Sequence, residues 1–198
     1  PTRRSSDLKK FMKKYPHVDV YVPIEGETGF SNVVKLALSS KSENELQTKI
    51  AETPIEGCIS RNSNGDLQYD NPVIRTSKLD DIPSPYLTGI MDKFFDGKLT
   101  PMMQTNRGCP FTCTFCVDGL DTVQKVNSFS TERVKNELNY ISQHVPKNTH
   151  SLHFSDLNFG MFPRDLEICD VINEVKEKYD YPTKILTTTG KNKKERII

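Results

Sequence analysis

The chain has 198 residues with 27 basic and 26 acidic side chains, a net charge of +1. That length suits one ordinary domain, or a small one with part of a larger, and the balanced charge leaves no footprint for nucleic acid or an anionic membrane surface. No window approaches the roughly 18 continuous apolar residues of a membrane span, and three of the five cysteines fall within eight residues, which fits a metal site better than a secreted disulfide framework. A cytoplasmic protein without a signal peptide or membrane span is the expectation.

Residues 1–8, Pro1-Thr2-Arg3-Arg4-Ser5-Ser6-Asp7-Leu8, have no apolar rhythm. They match one reading frame of a common sequencing-adapter oligonucleotide and read as an assembly artefact. Residues 9–17 read as the end of a short amphipathic helix, and Val18 to Ile24 alternate as a strand should. After Glu25-Gly26-Glu27 a helix is expected from about Phe30 to Leu38, with Val33, Val34, Ala37 and Leu38 on its inner side. Residues 46–95 read as a linker carrying a β-hairpin, whose turn is Asn62-Ser63-Asn64-Gly65, followed by an extended proline-rich stretch around Leu79 to Tyr86. A domain boundary near residues 75–95 follows.

From Pro101 strand and helix patterns alternate, the signature of βα units on a parallel sheet. Met102 to Thr105 leads into the cysteines. A helix from about Thr131 has Ser130 as N-cap, Phe129 and Val134 as a staple, an inward stripe of Val134, Leu138, Ile141 and Val145, and Pro146 as its stop. A strand over Ser151 to Ser155, a helix over about Arg164 to Tyr179 with Leu166, Cys169, Ile172 and Val175 inward, and a strand over Lys184 to Thr189 complete the pattern. Lys191 to Arg196 follow that strand directly, so truncation at both ends is expected.

The chemistry is concentrated in Arg107-Gly108-Cys109-Pro110-Phe111-Thr112-Cys113-Thr114-Phe115-Cys116, a C-x3-C-x2-C loop directly after a strand. Three thiolates from one loop can hold three irons of a [4Fe–4S] cube and leave the fourth open. Structural zinc is the alternative; it usually takes four protein ligands, and Cys58 and Cys169 lie far off with no adjacent histidine.

With Phe115 at its aromatic position, the loop resembles that of the radical SAM superfamily, which reads C-x3-C-x-aromatic-C after the first strand of a partial (β/α)6 barrel. The resemblance implies that Cys109, Cys113 and Cys116 ligate the cluster and that the backbone around Phe115 meets the adenine of S-adenosylmethionine. It further implies reductive cleavage of that cofactor to a 5′-deoxyadenosyl radical, with electrons from a donor such as flavodoxin or ferredoxin and a small-molecule substrate. In Leu152-His153-Phe154-Ser155-Asp156-Leu157-Asn158-Phe159-Gly160 the second barrel strand would meet its loop. There Ser155, Asp156 and Asn158 are the candidates for holding the methionine amino group, Asp156 as its anionic acceptor. Asp156 and Asn158 are equally ordinary turn or capping residues. Thr187, Thr188, Thr189, Gly190 and Asn192 lie on the same rim; His153, Cys169 and Cys58 read as structural.

Upstream, Val18 to Val22, Glu25-Gly26-Glu27, the hairpin and Leu79-Asp80-Asp81-Ile82-Pro83 occur in the order found in the cobalamin-binding class. There a Rossmann-like domain ends in a Gly-Glu-Gly-Glu turn, where this chain has Ile24 and Glu25 for the first Gly-Glu. The implied fold is α/β: residues 9–45 the tail of a cobalamin-binding domain, 46–95 the linker, and 96–198 the N-terminal half of the barrel. The cobalamin-ligating Asp-x-His-x-x-Gly motif is absent, so cobalamin belongs to a longer protein on this reading. A methylthiotransferase-type enzyme, which would need three further cysteines upstream, and a non-catalytic iron–sulfur or zinc module are the rivals. The sequence assigns no catalytic side chain.

Overall fold

The computed structural model describes residues 10–71, 75–116, 118–119 and 123–190. The readings of residues 1–8 and of 191–198, Asn192 included, lie outside the described residues. The chain divides into two compact units, Pro1–Thr76 and Ser77–Ile198.

In the first unit residues 10–14 are helical. Strand β1 (Val20–Tyr21), helix α1 (Gly26–Leu38), helix α2 (Glu43–Glu52), and strands β2 (Cys58–Arg61) and β3 (Leu67–Asp70) follow. The strands form an antiparallel sheet in the order β1-β2-β3. The expected hairpin is present. Asn62 Oδ1 accepts the N–H groups of Asn64 and Asp66 at 3.0 and 2.9 Å, and Gly65 takes the positive φ (82°) its turn requires.

Three expectations for this unit change, the first being that the strand expected over Val18 to Ile24 is confined to Val20–Tyr21. Helix α1 begins at Gly26, ahead of Phe30, because the chain reverses at Ile24 (φ 62°) and Glu25 is already an extended N-cap. Its inward side is Gly29, Val33 and Leu36, while Val34 and Ala37 are exposed and Leu38 is 83% exposed. Gly29 sets that rotation: a Cβ there would stand 2.5 Å from the Gly57 carbonyl oxygen, so only glycine lets α1 approach this closely. Helix α2 crosses the boundary read between residues 45 and 46, with most of its length in what reads as linker. Ser42 Oγ accepts the Glu45 N–H at 3.2 Å and the Glu45 carboxylate accepts that of Lys41 at 2.8 Å. The helix buries Ile50 beside Ile55 and Cys58.

The second unit holds β4 (Met102–Met103), β5 (Asn106–Arg107), β6 (Asn127–Ser128), α3 (Thr131–His144), β7 (Ser151–Phe159), α4 (Arg164–Tyr179) and β8 (Lys184–Thr189). Single 3₁₀ turns stand at Leu79–Asp81, within the proline-rich stretch, and at Asp92–Phe94, after it. Strands β4, β7 and β8 form a parallel sheet in that order, and β5 pairs antiparallel with β6.

Helix α3 starts as its sequence dictates, with Ser130 Oγ accepting the Arg133 N–H at 3.1 Å. Its Val134, Leu138 and Ile141 share one core with Ile168, Val171, Ile172 and Val175 of α4, Leu152 and Phe154 of β7, and Met103 of β4. Each such side chain contributes roughly 1.5–3 kcal/mol by leaving water. Helix α4 is rotated from the expected stripe. Asp165 is buried in its first turn, its Oδ2 accepting the N–H groups of Gly160 and Phe162. This brings Ile168 and Val171 inward and leaves Leu166 half exposed.

Strand β7 runs to Phe159, four residues beyond the expected Ser155. Leu152, Phe154, Asp156 and Asn158 are buried, while His153, Ser155 and Leu157 are partly exposed. The pairing with β8 is irregular between Phe154 and Phe159. Asp156 and Asn158 are therefore strand residues and not members of a turn.

Candidate metal centre

The cysteine loop is held at its base by the β5–β6 ribbon, which the sequence did not announce. Asn106 pairs with Ser128 and Arg107 with Asn127, so the chain leaves the sheet, makes the loop, and returns beside itself. Gly108 begins the loop at φ 110°, and a Cβ on it would stand 2.5 Å from the Lys125 carbonyl oxygen. Only glycine meets both conditions. The Cys109 N–H donates to the Val123 carbonyl at 3.0 Å, and the Cys116 N–H to the Cys113 carbonyl at 3.1 Å. Cys109 and Cys113 are partly buried and Cys116 is exposed.

Strand β7 reaches this loop twice. Asp156, 1% exposed, accepts the Thr105 N–H at 2.7 Å and the Asn106 N–H at 3.3 Å on one oxygen. Its other oxygen meets the Thr105 hydroxyl and the Asn106 amide, the latter at 3.0 Å. Burial pushes this carboxyl's pKa up, and the hydrogen bonds from Thr105 and Asn106 pull the other way. A carboxylate has about four acceptor positions, and here they are taken. In this structure Asp156 is thus the anchor of the strand that leads into the loop, and it offers no free oxygen to a ligand ammonium. Two residues on, the Asn158 amide lies 3.2 Å from the Cys109 sulfur.

The remaining candidates are separated from this pair. Ser155 lies on the opposite face of β7, its hydroxyl 3.4 Å from the Met103 carbonyl. Phe115 is 84% exposed, so it is not a core aromatic. Thr187 to Thr189 lie on β8, and the Gly190 N–H donates to Phe159 at 2.9 Å. Thr105, Asn106 and Arg164 were not anticipated. Arg164 donates to the Phe129 carbonyl at 2.7 Å and lies 3.4 Å from that of Thr105, so it joins the two arms of the ribbon from α4. Two short polar residues one position removed from the Gly108-Cys109 step were the available signal for Thr105 and Asn106.

Among the described residues no three His, Cys, Asp or Glu side chains are gathered to hold a metal ion. The donor chemistry fits: three soft sulfur ligands on one loop suit iron–sulfur binding, and a side-chain amide already faces one of them. Among the described residues no helix is long and apolar enough to cross a membrane.

Comparison with known proteins bears on the same point. The chain is 30% identical over 193 residues to the cobalamin-dependent radical SAM methyltransferase TokK of Streptomyces tokunonensis, covering 94% of this chain and 27% of that protein. A 2-(S-pantetheinyl)-carbapenam-3-carboxylate methyltransferase of Streptantibioticus cattleyicolor matches with the same identity and coverage. An uncharacterized methyltransferase of Pyrococcus horikoshii is 32% identical over 154 residues, covering 76% of this chain and 30% of that one. The cobalamin-dependent S-adenosylmethionine radical enzyme OxsB, solved with aqua-cobalamin and S-adenosylmethionine bound, shares the fold at a TM-score of 0.59 and 20% identity, over 91% of this chain and 24% of that one. No protein-family model matches. Over nearly its whole length the chain is thus similar to TokK, a protein named as a radical SAM methyltransferase. It spans about a quarter of the length of the curated relatives TokK and the carbapenam methyltransferase.

Proposed function

We propose that this chain is the part of a cobalamin-dependent radical SAM methyltransferase that holds a [4Fe–4S] cluster on Cys109, Cys113 and Cys116. The observation that carries the proposal is the place of the C-x3-C-x2-C loop, which follows β4 of a parallel βα sheet by way of the short strand β5 and is tied to β7 through Asp156 and Asn158. On this reading β4, β7 and β8 are the first three strands of a partial (β/α)6 barrel. The first unit is the end of a Rossmann-like cobalamin-binding domain with its hairpin linker. Cobalamin itself would be ligated elsewhere in a longer protein, since the Asp-x-His-x-x-Gly motif is absent from these 198 residues.

The bound cluster and S-adenosylmethionine would supply one-electron reductive cleavage to a 5′-deoxyadenosyl radical, with flavodoxin or ferredoxin as the electron donor and a small molecule as the substrate. The protein's own share is positional. Gly108 admits the turn into the loop, Asp156 fixes Thr105 and Asn106 beneath it, and Arg164 ties the two arms of the ribbon. The backbone around Phe115 and the hydroxyl of Ser155 are the groups proposed for S-adenosylmethionine. Methyl transfer is preferred to rearrangement because the relatives TokK and the carbapenam enzyme are methyltransferases.

The test is anaerobic reconstitution with iron and sulfide, reduction by dithionite, and addition of S-adenosylmethionine. A cluster electron paramagnetic resonance (EPR) signal that changes on addition, with 5′-deoxyadenosine formed, is the expected result. A loaded cluster that ignores S-adenosylmethionine and yields no 5′-deoxyadenosine would return the chain to a non-catalytic iron–sulfur module.

A further inference from the structure

Resting on the cluster reading above, we propose that Asn158 sets the reduction potential of the cluster through a hydrogen bond from its side-chain amide to the Cys109 sulfur. The nitrogen stands 3.2 Å from that sulfur, and Asn158 is 6% exposed, so water does not compete for the sulfur from that side. The residue is also fixed in place. It lies in β7, its carbonyl accepts the Met161 N–H at 3.2 Å, and two residues earlier Asp156 clamps the strand to Thr105 and Asn106. The donor is therefore aimed before any cluster binds.

Reducing the cluster adds one negative charge, which spreads onto the ligating sulfurs. An N–H dipole directed at one of them stabilises the reduced form more than the oxidised form and raises the potential, the more so where burial lowers the local dielectric. Asn158 is a positioning and tuning residue on this account. It helps an electron donor reach a cluster that would otherwise be harder to reduce.

Two substitutions isolate the effect: Asn158→Leu keeps the approximate volume without a donor, and Asn158→Asp keeps the shape while replacing N–H by an acceptor. Each full chain is reconstituted anaerobically, assayed for iron and sulfide, and titrated with the reduced cluster followed by EPR. Both variants are expected to load a cluster whose midpoint potential is more negative than that of the wild type, with the larger shift in Asn158→Asp. Loaded variants with an unchanged midpoint would overturn the proposal. So would folded variants that take up no cluster, since Asn158 would then serve assembly and not potential. A wild-type chain that loads no cluster would instead overturn the cluster reading itself, and this inference with it.

Discussion

The Asp156 carboxylate accepts the Thr105 N–H at 2.7 Å across 51 positions of sequence, which joins β7 to the residues that lead into the cysteine loop. Thr105 and Asn106 are themselves buried, so their donors have no ready access to water. Asp156→Ala should cost about 1–3 kcal/mol for each donor left unpartnered. It should also lower cluster uptake although no ligand is touched. Asp156→Asn keeps one carbonyl oxygen and should lose less. Denaturant unfolding of both variants checks the order, and equal losses would show that the carboxylate is not the anchor.

Gly108 combines φ 110° with a backbone approach that leaves no room for Cβ. Gly108→Ala is expected to cost roughly 1–3 kcal/mol of strain and to disturb the loop more than the sheet. A lowered thermal midpoint together with reduced iron uptake is the expected result. An unchanged midpoint would mean that the ribbon moves aside freely.

Ile24 offers the opposite case. A β-branched residue at φ 62° sits in the left-handed region at a cost of about 1–2 kcal/mol. The side chain is largely outside the core, so Ile24→Gly loses little packing. After about 0.5–1 kcal/mol for the freer unfolded chain, the substitution should stabilise the first unit by about 0.5–1 kcal/mol. Chemical denaturation reads this directly, and a destabilised variant would show that the Ile24 side chain matters more than its backbone strain.

Tyr181 is buried with its hydroxyl donating to the Ser151 carbonyl at 2.8 Å. Burial pushes its pKa well above the usual value near 10, with Tyr86 adding to the effect, and burial raises Tyr86 as well. A group whose folded pKa is raised contributes stability that is intact below the unfolded value. That contribution is lost as pH climbs beyond it. The wild type should therefore lose stability above about pH 10. Tyr181→Phe, weaker at neutral pH by about 0.5–1.5 kcal/mol, should show a shallower alkaline decline. Parallel declines would exclude Tyr181 as a source.

What could be read from the sequence follows from how local each signal is. Helix α3 was legible because its cap, staple and stop are neighbours in sequence: Ser130, Phe129 with Val134, and Pro146. The Asn62 to Gly65 hairpin and the Lys184–Thr189 strand were legible for the same reason. Helix α2 had its signal too, in Ser42-Glu43-Asn44-Glu45, but a weak apolar stripe hid it. The rotations of α1 and α4 depend on distant partners, the Gly57 carbonyl for Gly29 and the Gly160 and Phe162 N–H groups for Asp165. The site divides likewise. Three cysteines in eight residues announce themselves, whereas the bond between Asp156 and Thr105 and the contact between Asn158 and Cys109 exist only once β4 and β7 are side by side.

Metal analysis of the anaerobically reconstituted chain, beside Cys109→Ala, Cys113→Ala and Cys116→Ala, tests the central claim most directly. The wild type should hold about four irons with matching sulfide, and each single variant should lose the cluster's absorbance and EPR signal. A wild type that prefers zinc, or a variant that keeps an intact cluster, would contradict the assignment of the three cysteines as its ligands.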